Sequence, residues 1–189
     1  MLLDWVKKNR SYRRFFENET IDREVLLELI NLARLSPSGA NRQALRYYVS
    51  CEPGQNESIF STLGWAAYLQ EWPGPIVGER PSAYIIMGQE QEYKMALPID
   101  TGIAAQTILL GAAELGLGGC MIANINRTVL RSVLNIPESF EILLVIALGK
   151  PKEEIVIDEI DSGADIKYWR DAQQVHHVPK RKLKDIVVN

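Results

Sequence analysis

Apolar residues recur at helical spacing between positions 22 and 35, where Leu26, Leu29, Ile30 and Ala33 share one face, and this predicts an amphipathic helix. Ala44 to Ser50 reads as a strand. Residues 57–72 predict a second helix, opened by Asn56 and closed by Pro73, with Ile59, Phe60, Leu63, Ala67 and Leu69 turned inward. Its aromatic cluster, Trp65, Tyr68 and Trp72, is weighed toward the core rather than toward a lid over a planar substrate. Pro73 to Pro81 is a Gly/Pro loop, and Ser82 to Gly88 a buried strand. From Asp100 to Leu115 the chain is apolar almost all round. That run is shorter than the ~20 residues a membrane span needs and is flanked by Asp100 and Glu114, so it predicts a central buried helix. Gly116 and Gly118-Gly119 are expected to stop it. Cys120 to Ala123 predicts a short strand, Asn126 caps a helix through Leu134, and the unbroken apolar run Glu141 to Leu148 predicts a strand covered on both faces. Strands alternating with helices would by themselves suggest an α/β fold.

The stretch Ser36-Pro37-Ser38-Gly39-Ala40-Asn41-Arg42-Gln43 interrupts two well-patterned elements with polar and permissive residues. Pro37 pushes Ser36 out of the helical region, and Gly39 is expected to supply a φ that a Cβ would forbid. Backbone N–H groups with Ser38, Asn41 and Gln43 are then available to a flat polar ligand. Taken alone, the stretch reads more readily as a polar helix-to-strand loop.

At 189 residues the chain reads as one domain, able to bury its own core, and its 47% hydrophobic content is that of a soluble globular protein. A net charge of −3 provides no global basic field for nucleic acid or an anionic membrane. Cys51 and Cys120 lack metal-ligand spacing and read as free thiols in a reducing compartment. Residues 1–9 lack the apolar core of a signal peptide, so the expected location is cytoplasmic.

Two local basic clusters change this picture. Residues 9–16 place Arg10, Arg13 and Arg14 around Ser11, a set suited to phosphate oxygens, though basic turns are also often merely solvated. The tail after Pro151 holds few apolar anchors before Val178. It carries Tyr168, Trp169, Arg170, the pair His176-His177 and the run Lys180-Arg181-Lys182, and reads as an arm lying over its own subunit or a partner. The histidines have no Cys, Asp or Glu at ligand spacing beside them, so no metal is expected. Gly116-Leu117-Gly118-Gly119 fails as a dinucleotide motif because Met121 stands at its last position, and Pro151 replaces the hydroxyl residue of a Walker loop. There is no G-x-S-x-G elbow. With no nucleophile, metal or nucleotide signature of its own, the chain is expected to borrow its chemistry from a bound cofactor.

Three separated segments together resemble the FMN-dependent nitroreductase family: Arg10-Ser11-Tyr12-Arg13, then Pro37-Ser38-Gly39-Ala40-Asn41-Arg42-Gln43, then Pro179-Lys180-Arg181-Lys182. The resemblance implies an α+β fold, with a mixed, largely antiparallel sheet flanked by helices, forming one domain over 1–189 in an intertwined homodimer. Residues 151–189 would be an arm over the partner subunit. It implies that Arg10, Ser11, Arg13, Lys180 and Lys182 hold the FMN phosphate and its neighbourhood. Pro37, Ser38, Gly39, Asn41 and Gln43 would line the ring, from the other subunit, and backbone near Ala123 and Asn124 would approach its reactive nitrogen. The implied activity is that of an oxidoreductase: NAD(P)H reduces bound FMN and leaves, and a nitroaromatic, quinone or related small acceptor is then reduced in the same pocket. No catalytic side chain is required. Where family members commonly continue Gln-Pro-Trp, this chain has Gln43-Ala44-Leu45, and Ala123 stands where some have Glu. A flavin-binding storage or sensor module without turnover is the alternative. A nucleic-acid or partner-docking role for Lys180 to Lys184 is a third reading, opposed by the acidic overall balance.

Overall fold

A computed structural model describes residues 1–93 and 97–188 of the chain. Helices α1 (Leu2–Lys8), α2 (Arg23–Leu35), α3 (Pro53–Phe60), α4 (Pro98–Glu114) and α5 (Arg127–Leu134) surround strands β1 (Leu45–Ser50), β2 (Ala83–Glu90), β3 (Gly118–Ile122) and β4 (Phe140–Gly149). The tail adds β5 (Ile155–Ile160), β6 (Trp169–Arg170) and β7 (His176–Arg181). The main sheet has the order β1-β2-β4-β3 with every pair antiparallel. Among the described residues the tail forms a second sheet, β5-β7-β6, in which β5 and β7 run parallel and β6 pairs antiparallel to β7. The fold is therefore α+β, and the α/β alternation is misleading because sequence neighbours here pair as antiparallel strands.

The unbroken apolar runs in β2 and β4 have a direct cause: both faces of the main sheet are covered. Ile85, Met87, Ile146 and Leu148 pack with Leu26, Leu29 and Ala33 of α2 and Ala105, Ile108 and Ala112 of α4. On the opposite face Tyr84, Ile86, Val145 and Ala147 pack with Ile59 of α3 and Leu130 of α5. Each face alternates along the strands, so a strand buried on both sides needs apolar residues at every position.

The helix expected over 57–72 is not formed. Instead α3 starts earlier, with Pro53 in its first turn, where a missing N–H costs nothing, and ends at Phe60. Past that point the backbone turns to pair elsewhere: Gly64 N–H donates to Asn124 O at 2.9 Å and Asn126 N–H to Thr62 O at 2.8 Å. Asn56 is no cap either. It lies inside α3, accepting from the Ser50 hydroxyl and donating to Ser82 O, both at 2.7 Å. Trp65, half-buried, packs against the edge of the core, while Tyr68 is exposed and Trp72 stays outside the core.

Gly116, at φ 73°, ends the α4 segment as expected, but Gly118 and Gly119 open β3 rather than stop a helix. They and Gly149 serve close approach: a Cβ on Gly118 would stand 2.7 Å from Pro151 Cγ, and one on Gly149 2.7 Å from Phe15 Cδ1. This lets residues 11–16 lie as an extended segment along the sheet. Tyr12 N–H donates to Gly119 O at 3.0 Å and Phe16 N–H to Lys150 O at 2.9 Å. The backbone of the basic element is thus pinned beside β3 and the end of β4.

Candidate active site

Arg10, Ser11 and Arg13 from the N-terminal segment and Lys180 from β7 line one cavity of about 390 Å³, together with Gln106, Met121, Tyr168 and His176. A smaller space of about 160 Å³ adjoins it, sharing Arg13, Met121 and Tyr168 and bounded by Trp65, Cys120, Ala123 and Asn124. The first is cationic and polar. The second is a slot between an aromatic side chain and the end of β3.

The charges divide sharply by partner. Arg14, expected to share in anion binding, is instead paired with Glu79 through Nε at 2.6 Å and Nη2 at 2.7 Å. Lys152 adds a second cation to Glu79 at 3.0 Å, and these bonds hold its carboxyl down at about 2. Lys182 is likewise spent on Asp161, at 2.6 Å, and does not reach the cavity. The guanidinium groups of Arg10 and Arg13, by contrast, meet no carboxylate among the described residues. Arg10 donates to Val6 O at 2.9 Å, its Nε is buried without a partner, and burial lowers its pKa. Arg13, 9% exposed, donates to Ser11 O at 3.2 Å and lies over the Tyr168 ring, 4.7 Å from its centroid.

Glu153 holds these pieces in register. One oxygen accepts from the backbone N–H groups of Arg13 and Arg14, the latter at 3.2 Å, while the other receives Arg170 Nη2 at 2.9 Å. Tyr168 accepts a bond from Tyr68 N–H at 3.3 Å and packs between the rings of Tyr68 and His176, at 5.0 and 5.2 Å. His176 is 1% exposed, and burial, with the nearby charges of Arg13 and Arg170, brings its pKa down to about 4. Burial raises the Cys120 thiol, which keeps it protonated.

The polar loop lies elsewhere on the chain. Pro37, Ser38 and Gln43 line a separate cavity of about 310 Å³ with Ile30, Tyr47 and Asp100. Gly39 begins a short 3-10 turn with Asn41, and its N–H donates to Asp100 Oδ1 at 2.8 Å. Positive φ does not fall on Gly39 but on Ala40, Asn41 and Gln43, at 51°, 52° and 50°. Gly39 is needed for space, since a Cβ there would stand 2.7 Å from Leu97 Cδ1. Within a single chain, then, the loop and the Arg10–Arg13–Lys180 cluster are not brought together.

Glu153, Tyr168 and His176 were not singled out as site residues from sequence. Tyr168 and His176 stood in the tail without periodicity or motif, and Glu153 looked like any acidic residue after a strand. Among the described residues no group of three or more His, Cys, Asp or Glu could hold a metal ion, and no helix is long and apolar enough to cross a membrane.

An FMN-sized anionic ligand passes a test on chemistry. The cavity offers cations without carboxylates: two guanidinium groups and Lys180, with the orphaned Arg10 Nε and a buried His176 Nδ1 that is also without a partner. The adjoining slot offers the aromatic and apolar walls that a flat ring requires.

Comparison with known proteins identifies the family. The sequence model described as the Nitroreductase family matches residues 6–150. A Bacillus subtilis (strain 168) protein that carries the name of an NAD(P)H nitroreductase, MhqN, is 23% identical over 189 residues, covering 79% of this chain and 88% of that protein. Among solved structures, a nitroreductase family protein from Clostridium novyi NT is 25% identical with a TM-score of 0.67, over 80% of this chain and 86% of that one. An FMN-dependent nitroreductase from Clostridium difficile R20291 is 24% identical with a TM-score of 0.64, over 80% and 88%. The family match runs from α1 through the basic element to the end of β4, and on that ground the chain belongs to the nitroreductase family.

Proposed function

We propose that this protein is an FMN-dependent oxidoreductase that takes reducing equivalents from NAD(P)H and delivers them to a small nitroaromatic, quinone-like or related planar acceptor. The observation that carries the reading is the meeting of Arg10, Ser11 and Arg13 with Lys180, from opposite ends of the chain, in one cavity that shares Arg13, Met121 and Tyr168 with the Ala123–Asn124 slot.

Bound FMN would supply reversible hydride chemistry that none of the chain's own side chains provides. The residues do the rest. Arg10, Arg13, Ser11 and Lys180 hold the phosphate end by charge-assisted bonds. Trp65, Met121 and the backbone at Ala123–Asn124 would bound the space for its ring.

The reading includes a homodimer in which Pro37, Ser38, Gly39, Asn41 and Gln43 of one copy complete the site of the other. Support comes from the separation of that loop from the cation cluster within one chain. It also comes from apolar surface left uncovered: α1 buries no residue, and Leu2, Leu3, Leu27, Leu35 and Ile99 are exposed. The end of the tail, with Leu183, Ile186 and Val187 exposed, is suited to reach a partner. A cytoplasmic location follows from the same reading.

Native mass spectrometry tests cofactor and assembly together: the expected mass is that of two chains with two FMN. Anaerobic mixing with NADPH then tests turnover, and the flavin absorbance should bleach and return when a quinone is added. Absorbance that stays oxidised with either NADH or NADPH would reduce the protein to a flavin-binding module.

A further inference from the structure

His176 and His177 are neighbours on β7 and therefore face opposite sides of the tail sheet. His177 is tied into that sheet, with Nδ1 2.8 Å from Asp158, Nε2 3.5 Å from Asp171, and its ring stacked on Trp169 at 4.2 Å. His176 points the other way, into the cavity of Arg10, Ser11, Arg13 and Lys180.

The contacts of His176 favour one tautomer. Its Nε2 stands 3.5 Å from Arg13 Nη1. A guanidinium only donates, so this contact is a hydrogen bond only when Nε2 carries the lone pair. The proton of the neutral ring must then sit on Nδ1. Nδ1 is buried and has no partner in the chain. The ring is held where it is by packing: it is 1% exposed and Tyr168 lies against it, with ring centroids 5.2 Å apart. Protonating both nitrogens is no escape, since burial and the charges of Arg13 and Arg170 oppose a cation there. What remains is an N–H donor that no acceptor of the chain meets, in a cavity that carries three cations and no carboxylate.

We propose that His176 is a ligand-binding residue of this site, a neutral imidazole whose Nδ1–H donates to a phosphate oxygen of the bound ligand while its Nε2 orients Arg13. The identity of that ligand as FMN rests on the function proposed above. The donor role does not, because any phosphorylated molecule in this cavity presents the same acceptor. A neutral donor among cations also has a function of its own: it adds direction without adding charge, where another cation would repel Arg13.

Two measurements on the full chain test the assignment. In ¹⁵N-histidine-labelled protein free of ligand, the ring nitrogens of His176 should report the Nδ1–H tautomer down to about pH 5, and its Nδ1–H signal should shift on adding inorganic phosphate. An Nε2–H tautomer overturns the proposal. The second measurement is titration of the parent, His176→Asn and His176→Gln with FMN and with riboflavin. The asparagine amide can replace Nδ1–H and should bind FMN within about threefold of the parent; glutamine cannot, and should bind it about tenfold more weakly. Riboflavin should be indifferent to both changes. Equal FMN affinity in His176→Gln, or an equal loss for riboflavin, overturns the assignment and leaves the flavin reading intact. A parent that answers to inorganic phosphate but not to FMN ends the flavin reading and leaves His176 in its role. A parent that answers to neither ends both.

Discussion

Arg170 Nη2 donates to Glu153 Oε2 at 2.9 Å with the two side chains only 8% and 0% exposed, which makes this ion pair the joint between the tail and the N-terminal basic element. The guanidinium also lies over the Trp72 ring, 4.3 Å from its centroid, so the same residue closes the turns after α3 onto the tail. Removing one partner of such a pair leaves the other charged in a dry place. Glu153→Gln should therefore destabilise the protein by about 3–5 kcal/mol, read from urea denaturation. Glu153→Gln combined with Arg170→Met should recover a good part of that loss. A double variant no more stable than the single one would mean that the backbone bonds to Arg13 and Arg14, rather than the ion pair, dominate.

The division of the basic residues by partner predicts unequal effects on cofactor retention. Arg10→Ala and Arg13→Ala should each weaken FMN binding by about 1.5–3 kcal/mol, the range for hydrogen bonds to charged groups. Lys182→Ala should change it by less than about 0.5 kcal/mol, because Lys182 already serves Asp161 at the surface. Fluorescence titration of apoprotein with FMN measures all three.

Asp100 carries two duties at the start of α4. Oδ1 accepts from Gly39 N–H at 2.8 Å, while Oδ2 accepts from Leu97 N–H at 3.2 Å, reaching back to the helix entry as an N3 acid does in a capping box. Asp100→Ala should cost about 0.5–2 kcal/mol in global stability. It should also accelerate amide exchange at Gly39 well beyond that global change. Exchange at Gly39 that moves only with global stability would show that the loop holds its own shape.

Two groups give the chain opposite pH dependences. Glu79 is held down to about 2 by Arg14 and Lys152, so its stabilising contribution is present above the ordinary carboxylate range and is lost as pH falls toward 2. Glu79→Gln should flatten the acid limb of a stability-against-pH curve. His177 is raised, first by its bond to Asp158 and further by Asp171, so its contribution is complete below about 6.5 and fades as pH rises through the raised value. Limited proteolysis within 155–181 should quicken on the alkaline side in the parent, and His177→Gln should remove that pH dependence. A parent whose tail is cut equally fast at pH 6 and pH 9 would contradict it.

Much of the architecture was legible because the pattern left few choices. Leu26, Leu29 and Ala33 could only bury one face of a helix, and the unbroken apolar runs of β2 and β4 could only lie in a sheet covered on both sides. The failures were local competitions. Residues 61–72 carry a helical pattern, yet Thr62 to Gly64 pair with 124–126 across the fold and break it, and no window of sequence reveals that partner. The loop at 37–43 was recognised, but its strained positions were placed on Gly39, when Leu97, nearly sixty residues away, is what leaves that position no room for a side chain.

The sequence alone determined which residues carry charge, which elements are amphipathic, and that cations stand near both ends of the chain. It could not say which of those cations are neutralised. Tertiary structure decided that, by setting Glu79 against Arg14 and Asp161 against Lys182 while leaving Arg10, Arg13 and Lys180 around a cavity without a carboxylate. The reason is one of range: hydrophobic periodicity is set by a helix or strand's own geometry over a few residues, whereas the pairing of a charge depends on which distant side chain the fold brings within about 4 Å.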